Sequence, residues 1–169
     1  SLAYSDSSLK FEKNSWHVVG SPTEAALMVM SLKAGLSREE ILKKYPRVKL
    51  IPFDRFRKRK STIHKLDGSY IVFTAGAPDF ILKDCVTSIL SKGKVLPLDD
   101  NTKKKIIQDI ERYASMGLRT IGFAYRYINE GEIDKDANEI ERNLIFLGFV
   151  GIMDPPREGV KEAIKIAKK

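Results

Sequence analysis

Polar and apolar positions alternate or cluster along the chain in ways that mark out its elements. "SWHVVG" (15–20) reads as a short strand. "SPTEAALMVMSLKAG" (21–35) reads as a helix with clear ends: Ser21 as N-cap, Pro22 in the first turn, Gly35 as stop. Ala26, Leu27, Met30, Leu32 and Ala34 make this helix mostly apolar, so it is expected to be well buried. "SREEILKKY" (37–45) repeats the capping pattern with Ser37 and Glu40 and is stopped by Pro46. "VKLIPF" (48–53) reads as a strand. Asp67-Gly68 then splits two β-rich runs within 61–75, a strong hairpin signal. "PDFILKDCVTSIL" (78–90) looks helical, and 99–117 is the longest helix, with Gly117 as its stop. "LRTIGFAYRYI" (118–128) is a strand, and the polar stretch 131–143 a loop with a short helix. The unbroken apolar run "LIFLGFVGIM" (144–153) reads as a buried strand, "DPPR" (154–157) as a stiff breaker before a last helix. Strict strand–helix alternation is missing and the hairpin is antiparallel. The expected class is therefore α+β, a twisted antiparallel β-sheet flanked by helices.

Composition narrows this only slightly. The 169 residues are 43% hydrophobic and 31% charged, which suits one globular domain with a real core. No apolar run approaches the roughly 20 residues of a membrane helix. The single cysteine, Cys85, excludes an internal disulfide and suggests a reducing compartment. The sequence starts without Met and stops within a helical pattern, as a piece of a longer protein would. A net charge of +8 points to an anionic partner, whether nucleic acid, an anionic membrane surface or a nucleotide phosphate.

Catalytic and metal motifs are missing. There is no GxxxxGK[ST], GxGxxG, CxxC or HExxH, and His17 and His64 have no Cys or His company. Four local features remain. "FDRFRKRKS" (53–61) sets Arg55, Arg57, Lys58, Arg59 and Lys60 around Phe53 and Phe56. An aromatic face with cations can hold a base and its phosphates, but the same stretch suits a solvated basic loop anchored by two phenylalanines. In "GSPTEAAL" (20–27), Glu24 is either half of a capping box with Ser21 or an acceptor for a base amino group. "TAGAPD" (74–79) is a bend of the smallest side chains, which allows close approach. "GLRT" places Arg119 at a strand start.

Together and in this order, these stretches resemble the nucleotide-binding domain of P-type cation-transporting ATPases such as calcium, sodium and proton pumps. "GSPTEAAL" is similar to the family's G-[DES]-x-T-E-x-A-L, "FDRFRKRKS" to F-[DS]-S-x-R-K-R-M-S, "TAGAPD" to K-G-A-P-E, and "GLRTIGFAYR" to G-L-R-x-L-x-x-A. "FVGIMDPPREGVKEAI" resembles its return into the phosphorylation domain. The resemblance implies a nucleotide-binding domain over 1–153, with 154–169 as hinge and start of the phosphorylation domain, in the cytoplasmic part of an integral membrane protein. It implies ATP as ligand, with Mg2+ supplied mainly through the phosphorylation domain, and the phosphorylation and actuator domains as partners. The basic nucleic-acid module and the ligand-free interaction domain remain as rivals.

The resemblance also implies roles. Phe53 would stack on adenine, Glu24 would bond its amino group, and Lys58 would lie over base and sugar. Arg55 would join the cofactor-binding set, Gly76 and Ala77 would form the pocket wall, and Arg119 would reach the phosphates. The family's D-K-T-G-T, T-G-D and G-D-G-x-N-D stretches are not in this chain, so phosphoryl transfer by it alone is not expected. At the family's lysine before Gly-Ala-Pro stands Ala75. Arg57, Arg59 and Lys60 are the neighbouring cations able to replace it. A lysine restored at 75 is expected to strengthen binding of ATP and to leave adenosine little changed.

Overall fold

The structure is a computed structural model, described here for residues 7–12, 15–153 and 159–168. Its elements follow the punctuation of the sequence closely from residue 15 through residue 84, and the strand ahead of them was not expected. A first strand β1 (Ser8–Glu12) pairs antiparallel with β2 (Ser15–Val19) as a separate ribbon. Helices α1 (Pro22–Lys33) and α2 (Arg38–Lys44) come next, and the Ser37 hydroxyl accepts the Glu40 N–H at 3.4 Å. Strand β3 (Arg47–Asp54) leads into the hairpin of β4 (Arg59–Leu66) and β5 (Ser69–Gly76), which turns at Gly68 with φ of 73°.

From there the sequence reading departs in one place. The helix expected over 78–90 is only α3 (Pro78–Asp84). Strands β6 (Val86–Ser91) and β7 (Lys94–Pro97) take the rest as a hairpin. Its turn residues Lys92 and Gly93 both have positive φ, 49° and 76°, the geometry a tight hairpin needs. The run Val86-Thr87 carries β-branched side chains that favour the strand once a neighbour is available. Helix α4 (Asp100–Ser115) is capped by Asp99, whose carboxylate accepts the Thr102 N–H at 2.7 Å. Strand β8 (Arg119–Ile128), a 3₁₀ turn (Glu130–Glu132), α5 (Ala137–Ile140), β9 (Leu144–Ile152) and α6 (Val160–Ala167) complete the order. The "DPPR" breaker falls on residues outside those described.

Seven strands form one sheet in the order β3-β4-β5-β8-β9-β6-β7. The α+β class with flanking helices holds. One neighbour pair, β6 with β9, is parallel, so the sheet is mixed. Side chains alternate between faces along each strand. One face carries the core: Ile81, Leu82 and Ile110 of α3 and α4 pack on Ala124, Leu144 and Phe146. A second cluster joins Ile51, Ile63, Val72 and Ile128 to Ile140 of α5. Strand β9 is less enclosed than its unbroken apolar run suggests. Only Leu144 and Phe146 in it are buried, and Leu147 is exposed beside a register shift opposite Phe123 and Ala124. Helix α1 buries one stripe, Ala25, Leu27, Met28 and Ser31, and leaves Val29, Met30 and Leu32 exposed. A helix laid on a surface covers one face only, whatever its total apolar content.

Candidate functional site

The basic run divides at the entry to β4. Asp54 closes a turn by accepting the N–H groups of Phe56 and Arg57 at 2.9 and 2.8 Å. Those bonds, the one from Arg57 first, hold its carboxyl below the ordinary range. Lys58 completes the turn in the left-handed region, φ of 54°, with its N–H on the Asp54 carbonyl at 2.7 Å. A lysine gains nothing from that conformation by itself, so the surrounding bonds impose it. The β3–β4 register slips between Ile51 and Asp54, and Phe53 emerges there 58% exposed. Bulges re-aim side chains in this way. Arg55 and Lys58 are exposed, and the Arg55 guanidinium lies over the ring of Phe56, 4.9 Å from its centroid.

From Arg59 on, strand alternation sends neighbours to opposite faces, and Arg57 of the turn joins Arg59 on one of them. Arg57 and Arg59 converge on Glu141, which sits at the end of α5 and is fully buried. Arg57 Nη1 meets both of its carboxylate oxygens at 2.6 Å, Arg59 Nε meets Oε2 at 2.6 Å, and the Ser61 hydroxyl donates to Oε1 at 2.7 Å. Ser61 and Thr74 share a further bond at 2.8 Å. Beside this cluster lies a polar hollow of about 390 Å³, lined by Phe56, Asp84, Asn138 and Arg142 among others. It is on the opposite face from Glu24. Glu141 was not among the expected site residues. It lies in a polar loop stretch, and only its exact opposition to two arginines marks it, which no local pattern in the sequence reveals.

The other face gathers Glu24, Lys60 and Arg119. Lys60 Nζ is 2.9 Å from Glu24 Oε1, with the lysine side chain 6% exposed. Glu24 Oε2 accepts the Ser7 N–H at 3.1 Å and the Ser7 hydroxyl at 3.2 Å. The capping-box alternative for Glu24 is overturned: the Ser21 side chain makes no capping bond, and the Ser21 N–H goes to the Ser7 hydroxyl at 3.0 Å. Arg119, at the start of β8, donates to the Thr23 hydroxyl at 2.8 Å, so β4 and β8 both reach the first turn of α1.

The small-residue bend meets the basic turn directly. The Ala77 N–H donates to the Lys58 carbonyl at 2.9 Å. A Cβ added to Gly76 would stand 2.6 Å from Arg59 Cα. Glycine is needed there so that two strands can close, independent of any ligand. Ala75 is buried and directly opposite Lys60. Thus Lys58, Ala75, Gly76 and Ala77 belong to one corner, and Phe53 lies at the end of β3 just ahead of the turn that leads into it. Glu24 is tied to that corner through Lys60, and Arg119 to the same helix turn through Thr23. Arg55 is at the outer edge of the corner, on Phe56.

Cys85 and His64 both lie in the interior. Burial pushes the Cys85 thiol up to about 11, and it packs in the core. His64 is fully buried with Nδ1 2.8 Å from the Tyr45 carbonyl, and burial lowers its pKa. Among the described residues, no group of three or more His, Cys, Asp or Glu side chains is gathered as for a metal ion. No described helix is long and apolar enough to cross a membrane.

Residues 1–159 match the family described as P-type ATPase, cytoplasmic domain N. The chain is 39% identical over 150 residues to calcium-transporting ATPase 1 of Bacillus cereus, covering 89% of this chain and 17% of that protein. It is 38% identical over 157 residues to calcium-transporting ATPase PAT1 of Dictyostelium discoideum, covering 93% and 14%. To cation-transporting ATPase pma1 of Synechocystis it is 35% identical over 152 residues, covering 90% and 16%. The chain therefore spans about a sixth of the length of these relatives.

Proposed function

The chain belongs to the family of the P-type ATPase cytoplasmic domain N, and on that premise we propose that it binds ATP through adenine and presents the γ-phosphate to a separate phosphorylation domain of a cation-transporting pump. The observation that carries this reading is the corner itself. An exposed aromatic, Phe53, stands at the rim of a turn that also exposes Phe56 and the cations Arg55 and Lys58. A carboxylate, Glu24, is held across the sheet face by Lys60.

Each residue has a task its chemistry suits. Phe53 offers a ring face for stacking, and Lys58 a point charge beside it. Glu24 is a carboxylate acceptor, the chemistry a base amino group calls for. Arg119 provides a planar fork for phosphate. Ala75, Gly76 and Ala77 keep the wall thin. ATP, when bound, supplies the phosphoryl group. This chain's residues fix its base and sugar and leave its far end to another domain. Among the described residues no group of three or more His, Cys, Asp or Glu is gathered, and Glu24 is bonded to Lys60, so the described face does not fit magnesium, which enters through the phosphorylation domain in this reading. Residues 1–153 form the binding domain and 154–169 lead toward its neighbour, with the actuator domain as a further partner in the parent protein.

The division of the basic run argues against a nucleic-acid surface. Glu141 takes Arg57 and Arg59, and Glu24 takes Lys60, so of the five cations only Arg55 and Lys58 are left exposed. NMR titration of the 169-residue chain with ATP, ADP, GTP and an oligonucleotide tests the proposal. Shifts centred on Glu24, Phe53, Lys58 and Arg119, larger for adenine than guanine nucleotides, are expected. Tighter binding of the oligonucleotide with a steep salt dependence would replace this reading with nucleic-acid binding.

A further inference from the structure

Ala75 stands where a lysine would be expected from the resemblance, and Lys60 is its direct partner across the β4–β5 pair. Directly opposed residues share a face, with Cβ atoms about 5 Å apart. Arg57 and Arg59, the other two candidates to replace the missing charge, leave by the opposite face to Glu141. Lys60 instead extends beside Ala75 to Glu24 Oε1, 2.9 Å away, and is almost wholly buried there.

We propose that Lys60 is the base-end cation of the pocket, a positioning residue delivered from β4 in place of the lysine absent from β5, which orients and neutralises Glu24 for adenine recognition. This rests on the nucleotide-binding reading above and assigns a determinant of base specificity within it. Lys60 bonds the carboxylate that would read the amino group. Its ammonium therefore acts at the base, and the phosphates are left to other cations. The carboxylate is gripped at both oxygens, Oε1 by Lys60 and Oε2 by Ser7, which fixes the plane in which an amino donor must approach. Neutralising Glu24 also removes a negative charge that would repel an anionic ligand in a partly desolvated corner. The geometry reverses the expected effect of a lysine at position 75. With Lys60 present, a second ammonium would stand directly opposite the first, and like charges so placed disfavour each other.

The test compares adenosine, inosine and ATP by NMR titration on the parent chain and three variants. In Lys60→Met, adenosine and ATP affinities should fall together, by about five- to tenfold, less than the full loss of a bond to a charged group because Lys60 acts on the ligand through Glu24. The preference for adenosine over inosine, which lacks the amino group, should shrink. In Lys60→Met/Ala75→Lys, both should return, since the ammonium re-enters from the neighbouring strand. Ala75→Lys alone, which keeps Lys60, should weaken adenosine binding by about two- to fivefold, and this variant remains informative if Lys60→Met folds poorly. Unchanged adenosine binding in Lys60→Met, a loss confined to ATP, or tighter adenosine binding in Ala75→Lys would each overturn the assignment. A parent chain that binds neither adenosine nor ATP would instead overturn the pocket reading on which it stands.

Discussion

The two faces of β4 treat the same kind of side chain in opposite ways. On one face Arg57 and Arg59 are tied to Glu141 in a closed cluster that also takes Ser61, with Thr74 bonded to Ser61. On the other, Lys60 and Glu24 form a pair at the edge of a corner whose aromatic and cationic rim is open to solvent. The first arrangement uses the planar, multi-donor guanidinium to satisfy a buried carboxylate. The second uses a compact ammonium that meets one oxygen of its carboxylate. The cations of the closed cluster and the cation at the corner thus differ by the position they occupy, and by nothing in their immediate sequence company.

The sharpest way to break this contrast is to remove Glu141. Glu141→Ala leaves two arginines desolvated beside a void, and a loss of about 3–5 kcal/mol of stability is expected. Urea unfolding monitored by circular dichroism measures it, and a loss below about 1 kcal/mol would mean that the cluster is a surface feature. Phe53→Ala probes the open side. It should cost roughly 1–3 kcal/mol of ATP binding and change stability by less than about 0.5 kcal/mol, because the ring is exposed. Equal ATP affinities for parent and variant in an NMR titration would remove Phe53 from the site.

A smaller effect comes from His64, which is on the same face as Lys60 but deep beneath α2's end. Burial, the largest influence, depresses its pKa below 6.5, opposed by the Tyr45 carbonyl and helped by Arg47. The unfolded chain therefore takes up the proton more readily than the folded one. The contribution is complete above pH 6.5 and is lost as pH falls from there through the lower folded value. Urea midpoints at about pH 7.5 and about pH 5.5 should differ more for the parent than for His64→Gln. Identical pH slopes would show that His64 charges equally easily in both states.

Most local structure was legible because its signals are local. Ser37 and Asp99 cap the helices they precede, and Asp67-Gly68 turns the hairpin. Glu24, Phe53 and Lys58 could be selected from residue type and order; Phe53 and Lys58 are exposed at the turn, and Glu24 is bonded to Lys60. What escaped depends on neighbours far along the chain. β6 is a strand because β9 lies beside it, although Val86 follows directly on a helix. Glu141 matters because residues more than eighty positions earlier face it. Ser21 and Glu24 have the spacing of a capping box, and Ser7 and Lys60 compete for their atoms and win. The basic run was legible as a run, but its division was not. That needed the point at which strand alternation begins.

The β4–β5 hairpin therefore acts as a phase setter. Its register fixes which parity of β4 faces the core, with Ser61 and Ile63, and which faces the corner, with Lys60. A slip of that hairpin by one residue would send Lys60 toward Glu141 and an arginine toward Glu24 and would turn Ile63 out of the core, whereas a residue added between Asp54 and Lys58 would only lengthen a loop.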